Sequence, residues 1–437
     1  MDEKGPQNSF KISYPFDEHN KLSYADDNMY SYVANVIQID KKDYESIEEE
    51  YERLVEEYLS YRPQLRKSLS DKKEELKGQD LLRKNFNFGI ASMKNKEIRF
   101  YFRLLEVLLK YDVDNLLFMI SKVSIITSSR LTNFFYFLDV KTIYSPFICK
   151  YIITKYVEVE ASEKVVKAFL DKSCSTKNLL EQVRDDMMQI ILKNIDNQRM
   201  MKQVDSYKHC IEAINGYVDN DLILNEPNIP VSFDWTKVRW AFDLWMTELN
   251  FQGNEKKYKL FLDEGIPKDI FENLNFNEIN ENCNSKDYIG LQITDMLVVL
   301  IGKLISQLIT ITKYDFNKPE LRVLVGESYF NLTEEQFYLI KKLEMFVLGS
   351  EGQYHFINDA YFDASVLLQS YLQYVSSFND FDSYKELDAN YHAESHMLKF
   401  IDISELKYID AIKTESLVKE IFDSLKSGVE AGIFRPL

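Results

Sequence analysis

Acidic residues placed where strands end, or where an apolar helix is interrupted, are the side chains of this sequence best suited to chemistry. Four such positions stand out: Asp17 with Glu18 after the alternating stretch Phe10 to Phe16, Glu75 in EELKGQDLL, Asp263 with Glu264 after YKLFL, and Asp295 inside GLQITDMLVVLIGKLI. Asp295 is the sharpest of them, because an unpaired carboxylate in apolar surroundings is strongly disfavoured and must be paired, protonated or bound to a cation. Carboxylates from the ends of neighbouring strands, joined by one from a packing helix, can converge on Mg2+ or Mn2+, hard cations that take oxygen ligands. Two such ions ~3.5–4 Å apart would activate water and stabilise the leaving oxygen of a phosphodiester. Among 70 acidic residues spacing alone is a weak sign, and pairing of each acid with a lysine or a helix N-terminus is the alternative.

Other chemistries find less support. The sequence has no G-x-G-x-x-G, no G-x-x-x-x-G-K-[ST] and no G-x-S-x-G, so a phosphate loop and a nucleophile elbow are not expected. His392, Glu394 and His396 form H-x-E-x-H, which is not the zincin order and reads as coincidence. The cysteines at 149, 174, 210 and 283 are far apart and form no C-x-x-C pair, so reduced thiols and no structural zinc are expected. Trp235, Trp240 and Trp245 recur every five residues and wind around a helix, which suits core anchoring better than base stacking.

The net charge of −17 argues against a surface that coats nucleic acid, since phosphate binding needs dense Lys and Arg. The charge is uneven. Ser60 to Lys110 carries 13 Lys/Arg against 6 Asp/Glu, whereas Phe316 to Leu437 carries 11 against 20. The first stretch, with Lys72, Lys73, Lys77, Arg83 and Lys84, is a candidate nucleic-acid surface; two solvated amphipathic helices would give the same count.

The elements that must hold these residues are legible from periodicity. Phe10 to Phe16 and Met29 to Ile39 read as strands joined as a hairpin, with Pro15 unwelcome in the first. Asp43 to Leu59 and Lys94 to Lys110 read as amphipathic helices, Asn115 to Ile126 as a buried strand and Tyr258 to Leu262 as another. Between them, Thr127 to Leu249 is helical throughout, including Glu181 to Ile195, Met200 to Ile214 and Trp235 to Leu249. Tyr288 to Ile309 is apolar enough to suggest a membrane span, but Gln292, Asp295 and Lys303 within it favour a buried helix of a soluble protein. At 437 residues, with 45% hydrophobic residues and only 13 Gly and 9 Pro, the chain should form two or three ordered units. We expect a discontinuous α/β core at 9–126 and 250–315, a helical insertion at 127–249 and an acidic helical unit at 316–437. The N-terminal MDEKGPQNSF has no basic or apolar leader character, which suits a cytoplasmic address.

The segment NSKDYIGLQITDMLVVLIGK (Asn284 to Lys303) resembles the C-terminal signature of the domain-of-unknown-function 3800 family, in which a Ser-Lys pair precedes a Gly-(Leu/Ile)-Gln-Leu-Ala-Asp helix. YPFDEHNK resembles that family's first strand, which ends in Asp-Glu-Ser-Gly; EELKGQDLL resembles its Glu-x-Lys-Gly motif; YKLFLDEG resembles its later strand ending in an acid. The four occur in the family's order and cover about 200 residues in two pieces. The resemblance implies a ribonuclease-H-like core within a mainly α protein and a metal-dependent nuclease activity. Carried over by residue, Asp17, Asp263 and Asp295 would be Mg2+ or Mn2+ ligands, with Glu18 or Glu75 as a fourth carboxylate and Lys77 facing phosphate. His19 and Asn20 depart from the Ser-Gly of the first motif, and Ile293 and Thr294 from the Leu-Ala of the last. Two functions are therefore carried forward: a nuclease, in the defence or mobile-element setting the resemblance implies, and a non-catalytic scaffold on a degraded core. In either, the insertion or the acidic tail could hold a protein partner.

Overall fold

The computed structural model describes residues 1–7, 9–16, 21–24, 29–82, 86–220, 229–251, 257–274, 276–310, 325–349, 355–359 and 361–421. The N-terminal part contains β1 (Asp2–Lys4), a small hairpin of β2 (Lys11–Ile12) and β3 (Leu22–Ser23), β4 (Ser31–Gln38), α1 (Tyr44–Ser60), α2 (Pro63–Lys72), α3 (Gly78–Leu81), α4 (Asn95–Lys110) and β5 (Asp114–Ser121). A helical stretch follows: α5 (Lys122–Arg130), α6 (Thr132–Lys141), α7 (Pro146–Val159), α8 (Glu163–Leu170), α9 (Thr176–Asn194), α10 (Met201–Val218) and α11 (Trp235–Phe251). Then come β6 (Lys259–Phe261), β7 (Glu278–Asn280), α12 (Ile289–Thr310), α13 (Glu334–Leu348), β8 (Phe356–Asn358), α14 (Asp363–Ser376), α15 (Phe381–Lys385) and α16 (Ala389–Ile421). The chain is thus mainly helical around a small mixed sheet.

That sheet has the order β1-β4-β5-β8, antiparallel except for the parallel pair β5–β8. Alternation along its two long strands sorts side chains to two faces. Val33, Leu117 and Met119 share one core with apolar residues of α1, α4, α12, α13 and α14. Tyr32, Ala34, Val36, Leu116, Phe118 and Ile120 share another with α11 and the β6–β7 region. The result is helices on both faces of a sheet. A third core, built mainly by α5 to α10, belongs to the helical stretch.

Three expectations change. The stretch Phe10 to Phe16 is not a strand of the main sheet: only Lys11–Ile12 pair, with Leu22–Ser23, and Phe10, Ile12 and Phe16 pack on the core of the helical stretch. The sheet edge is instead Asp2–Lys4, three charged residues that offer no apolar alternation to read. The strand after Asp114 stops at Ser121, whose hydroxyl caps α5 by accepting the Ser124 N–H at 3.1 Å, the role Ser favours at helix starts. The acidic C-terminal segment supplies β8 to the main sheet, and α13 and α14 lie in the same core as α1, α4 and α12.

Among the described residues one helix is long and apolar enough to cross a membrane, Ile289–Ile309, and 83% of that window is buried within the fold. It is the central core helix. All four cysteines are free thiols.

Candidate active site

The charged edge strand β1 places its side chains by pleat. Asp2 and Lys4 lie opposite Asn35 and Val33, whereas Glu3 lies opposite Ala34. Asp2 and Lys4 therefore face α12, and Glu3 faces the other side, where it accepts from Gln7 Nε2 at 2.6 Å. Burial raises the Glu3 carboxyl to about 7. The strand ends at Gly5, with φ +116°; a Cβ there would stand 2.2 Å from the Ser31 carbonyl oxygen, so only glycine allows this turn.

Asp295, on the second turn of α12, is 3% exposed. Its two oxygens have different partners: Oδ1 accepts from Lys4 Nζ at 2.9 Å and Oδ2 from the Gly78 N–H at 2.7 Å. The second bond depends on a close approach of α3 to α12. A Cβ on Gly78 would lie 2.8 Å from Val299 Cβ and 3.0 Å from the Asp295 carbonyl oxygen.

Just before Gly78, Lys77 pairs with Glu75 and donates to Ser285 Oγ at 2.9 Å. Ser285 in turn donates to Glu75 Oε1 at 2.5 Å, and Gln292 on α12 holds the Ser285 carbonyl at 3.0 Å. Desolvation works against the Lys77 ammonium, but its bond to Glu75 and the surrounding acids win and hold its pKa above the ordinary lysine value. Its side chain is 42% exposed, so the ammonium is oriented from below and reachable from outside.

Asp263 follows β6, and its N–H donates to the Met1 carbonyl at 3.1 Å while the Met1 nitrogen donates to the Phe261 carbonyl at 2.8 Å. These bonds seat Asp263 beside β1. Asp2 is 6% exposed, and the hydrogen bond given to its carboxylate among the described residues comes from the Glu3 N–H at 2.6 Å. Burial, then Asp295 and Asp263, push its carboxyl well above the usual range, with Lys4 opposing them. Neighbouring Asn35 Oδ1 and Glu75 Oε2 are buried without a hydrogen-bond partner.

Of the residues expected from the sequence, Asp263, Asp295, Glu75 and Lys77 therefore meet in one place. Glu264 is exposed on the turn after Asp263. Lys72 and Lys73 sit at the exposed end of α2; Lys72 lies 3.9 Å from Glu74, and Lys73 is the left-handed cap residue. Asp17, Glu18, Arg83 and Lys84 fall outside the described residues. The histidines of H-x-E-x-H are core residues: His392 bonds to Tyr374 Oη and His396 to Ser370 Oγ. Trp245 is buried and Trp235 packs edge-on to Tyr32, while Trp240 is exposed.

Sequence reasoning missed Asp2, Lys4 and Gly5.

Among the described residues no three His, Cys, Asp or Glu side chains stand close enough to form a ready-made metal cage. Asp2 and Asp263 offer oxygen atoms only, the ligand type that a hard cation such as Mg2+ or Mn2+ takes in preference to zinc. No protein-family model, no curated protein and no solved structure matches the chain.

Proposed function

We propose that this chain is a Mg2+- or Mn2+-dependent nuclease built on a ribonuclease-H-like core, cytoplasmic, with Asp2, Asp263 and Asp295 as carboxylates of its site. The observation that carries the reading is convergence. Asp2, Glu75, Lys77, Asp263 and Asp295 come from four separated parts of the chain, yet Asp2 is buried facing Asp263 and Asp295, and Lys77 and Asp295 are joined through Gly78. Crowding buried carboxylates in this way opposes folding, and such arrangements concentrate at functional sites.

Asp2 and Asp263, with Asp295 at their side, would hold the ion, which when bound supplies Lewis acidity to a phosphate oxygen and a more acidic water. The chain's own contribution is electrostatic. Lys77, fixed by Glu75 and Ser285, presents an oriented ammonium to a phosphate oxygen, a charge-assisted contact. Overall, water adds to phosphorus, the bond to one ester oxygen breaks, and the departing oxygen takes a proton. Nucleic acid would be held locally, because several cations of the basic stretch are already paired with acids: Arg66 with Glu56, Arg99 and Arg103 with Glu57, Arg62 with Glu97, and Lys110 with Glu50.

The pairing of Asp295 with Lys4 and of Glu75 with Lys77 favours the scaffold reading, with protein partners on the helical insertion or the acidic tail. The deciding experiment is cleavage of labelled single-stranded DNA, duplex DNA, RNA and hybrid by wild type, Asp2→Asn and Asp295→Asn, with Mg2+, Mn2+ or EDTA. We expect metal-dependent cutting that drops at least about 100-fold in either folded variant, the scale on which loss of one preorganised electrostatic group is felt. Absence of cutting on every substrate supports the scaffold.

A further inference from the structure

We propose that Lys4 is a resident cation of the carboxylate site: its ammonium, fixed on Asp295, takes the place of one of two divalent ions, so that the site binds a single Mg2+ or Mn2+ through Asp2 and Asp263. This rests on the nuclease reading above and adds the number and placement of its cations.

The geometry argues it in three steps. First, β1 alternation brings Lys4 to the same face as Asp2, two residues along the strand, so the ammonium enters the site from the strand that supplies a carboxylate. Second, Asp295 is committed to fixed protein donors on both oxygens, Lys4 Nζ at 2.9 Å and the Gly78 N–H at 2.7 Å. A carboxylate so engaged is a positioner for Lys4 rather than an open ligand, and a divalent ion at Oδ1 would have to displace an ammonium already in place. Third, Lys4 is engaged with Asp295, whereas the hydrogen bond to the buried Asp2 carboxylate among the described residues is one backbone N–H, from Glu3 at 2.6 Å, which leaves Asp2 and Asp263 to a further cation. One divalent ion beside Lys4 fills that place; two would meet the ammonium's repulsion at contact range.

An ammonium has three donors, of which Asp295 takes one. With a side chain 25% exposed, Lys4 can direct another to an incoming phosphodiester, where it stabilises negative charge on the departing ester oxygen as that bond breaks and water adds to phosphorus. The second ion of a two-metal site would do the same.

The test counts ions rather than turnover. Mn2+ binding to the full chain is measured by isothermal titration calorimetry and by electron paramagnetic resonance of free Mn2+, for wild type, Lys4→Ser, Lys4→Met and Lys4→Arg, each checked by circular dichroism. We expect one Mn2+ in wild type and in Lys4→Arg, and two in Lys4→Ser. Lys4→Met, which keeps the stem and removes the charge, should also take two, and it carries the test if Lys4→Ser does not fold. Two ions in wild type, or one in every variant, overturns the role of Lys4 and leaves the nuclease reading standing. No bound Mn2+ in any of the four proteins overturns both.

Discussion

Lys77 shows at the scale of one residue what the proposed site asks of its structural contacts. Its ammonium is held by Glu75 and Ser285 while its side chain is 42% exposed, so a substitution should be felt by ligand as well as by fold. Lys77→Met should also cost some stability, because it leaves the 10%-exposed Glu75 carboxylate without its ammonium. It should lower kcat/KM for cleavage by about 10- to 100-fold, mainly through KM, because hydrogen bonds to charged groups contribute about 1.5–3 kcal/mol. A lower melting temperature with unchanged kcat/KM would show that Lys77 only neutralises Glu75. The difference between Lys77 and Lys4 also explains what could be read in advance. Asp295 was visible because a carboxylate breaks an otherwise apolar helix, and Asp263 and Glu75 because each follows or precedes an interpretable element. Asp2 and Lys4 lie on an edge strand of three charged residues, where no hydrophobic pattern marks a strand. They are recognisable only once pairing with β4 shows which of them face α12.

At the scale of elements, periodicity located the long pieces well and the short ones poorly. The helices beginning at Tyr44, Asn95, Met201, Trp235 and Ile289 fall within a residue or two of their expected starts, because each has an apolar stripe long enough to fix its phase. The strands Asp2–Lys4 and Phe356–Asn358 have three residues each, too few for a period, and exist through tertiary pairing. Helix α16 adds a testable consequence of packing. His396 is fully buried among Tyr371, Tyr374 and Phe330, and its Nδ1 has no hydrogen-bond partner. Ser370 Oγ donates to the Leu367 carbonyl, so His396 Nε2–H donates to Ser370 and Nδ1 stays unprotonated. Desolvation by burial lowers the imidazole from 6.5 to about 3. Between those values the unfolded chain binds more protons than the folded one, so stability rises with pH across that window and is lost as pH falls through it. Urea midpoints measured at pH 7 and pH 5 should show wild type losing about 1–2 kcal/mol more than His396→Gln over that step. Equal slopes would mean that this helix opens to water before the rest of the fold.

Across the whole molecule, the helical stretch must be fastened to the sheet without disturbing the carboxylates, and the fastening is a buried ion cluster on the far side of β5. Asp359, immediately after β8, accepts from Lys150 of α7 at 3.2 Å and Lys237 of α11 at 2.9 Å, and also bonds Ser124 of α5. All three ionic side chains are mostly buried, the carboxylate at 7% exposure and the lysines at 14% and 13%. Burial alone would raise the Asp359 carboxyl, but the two ammonium groups reverse this and hold it far below the usual range. Lys150 is lowered by desolvation to about 8 despite the attraction of Asp359. Such a cluster contributes little over a well-packed apolar one, but removing one partner strands the other charges. Here a single carboxylate serves two lysines from separate elements, so its loss should be felt at both. Asp359→Asn should therefore destabilise the protein by about 3–5 kcal/mol, read from guanidinium midpoints. Cleavage per folded molecule should stay unchanged, because Asp359 contacts none of Asp2, Asp263, Asp295 or Lys77 among the described residues. A parallel loss of cleavage in the folded fraction would show instead that the helical stretch positions the proposed site through this cluster.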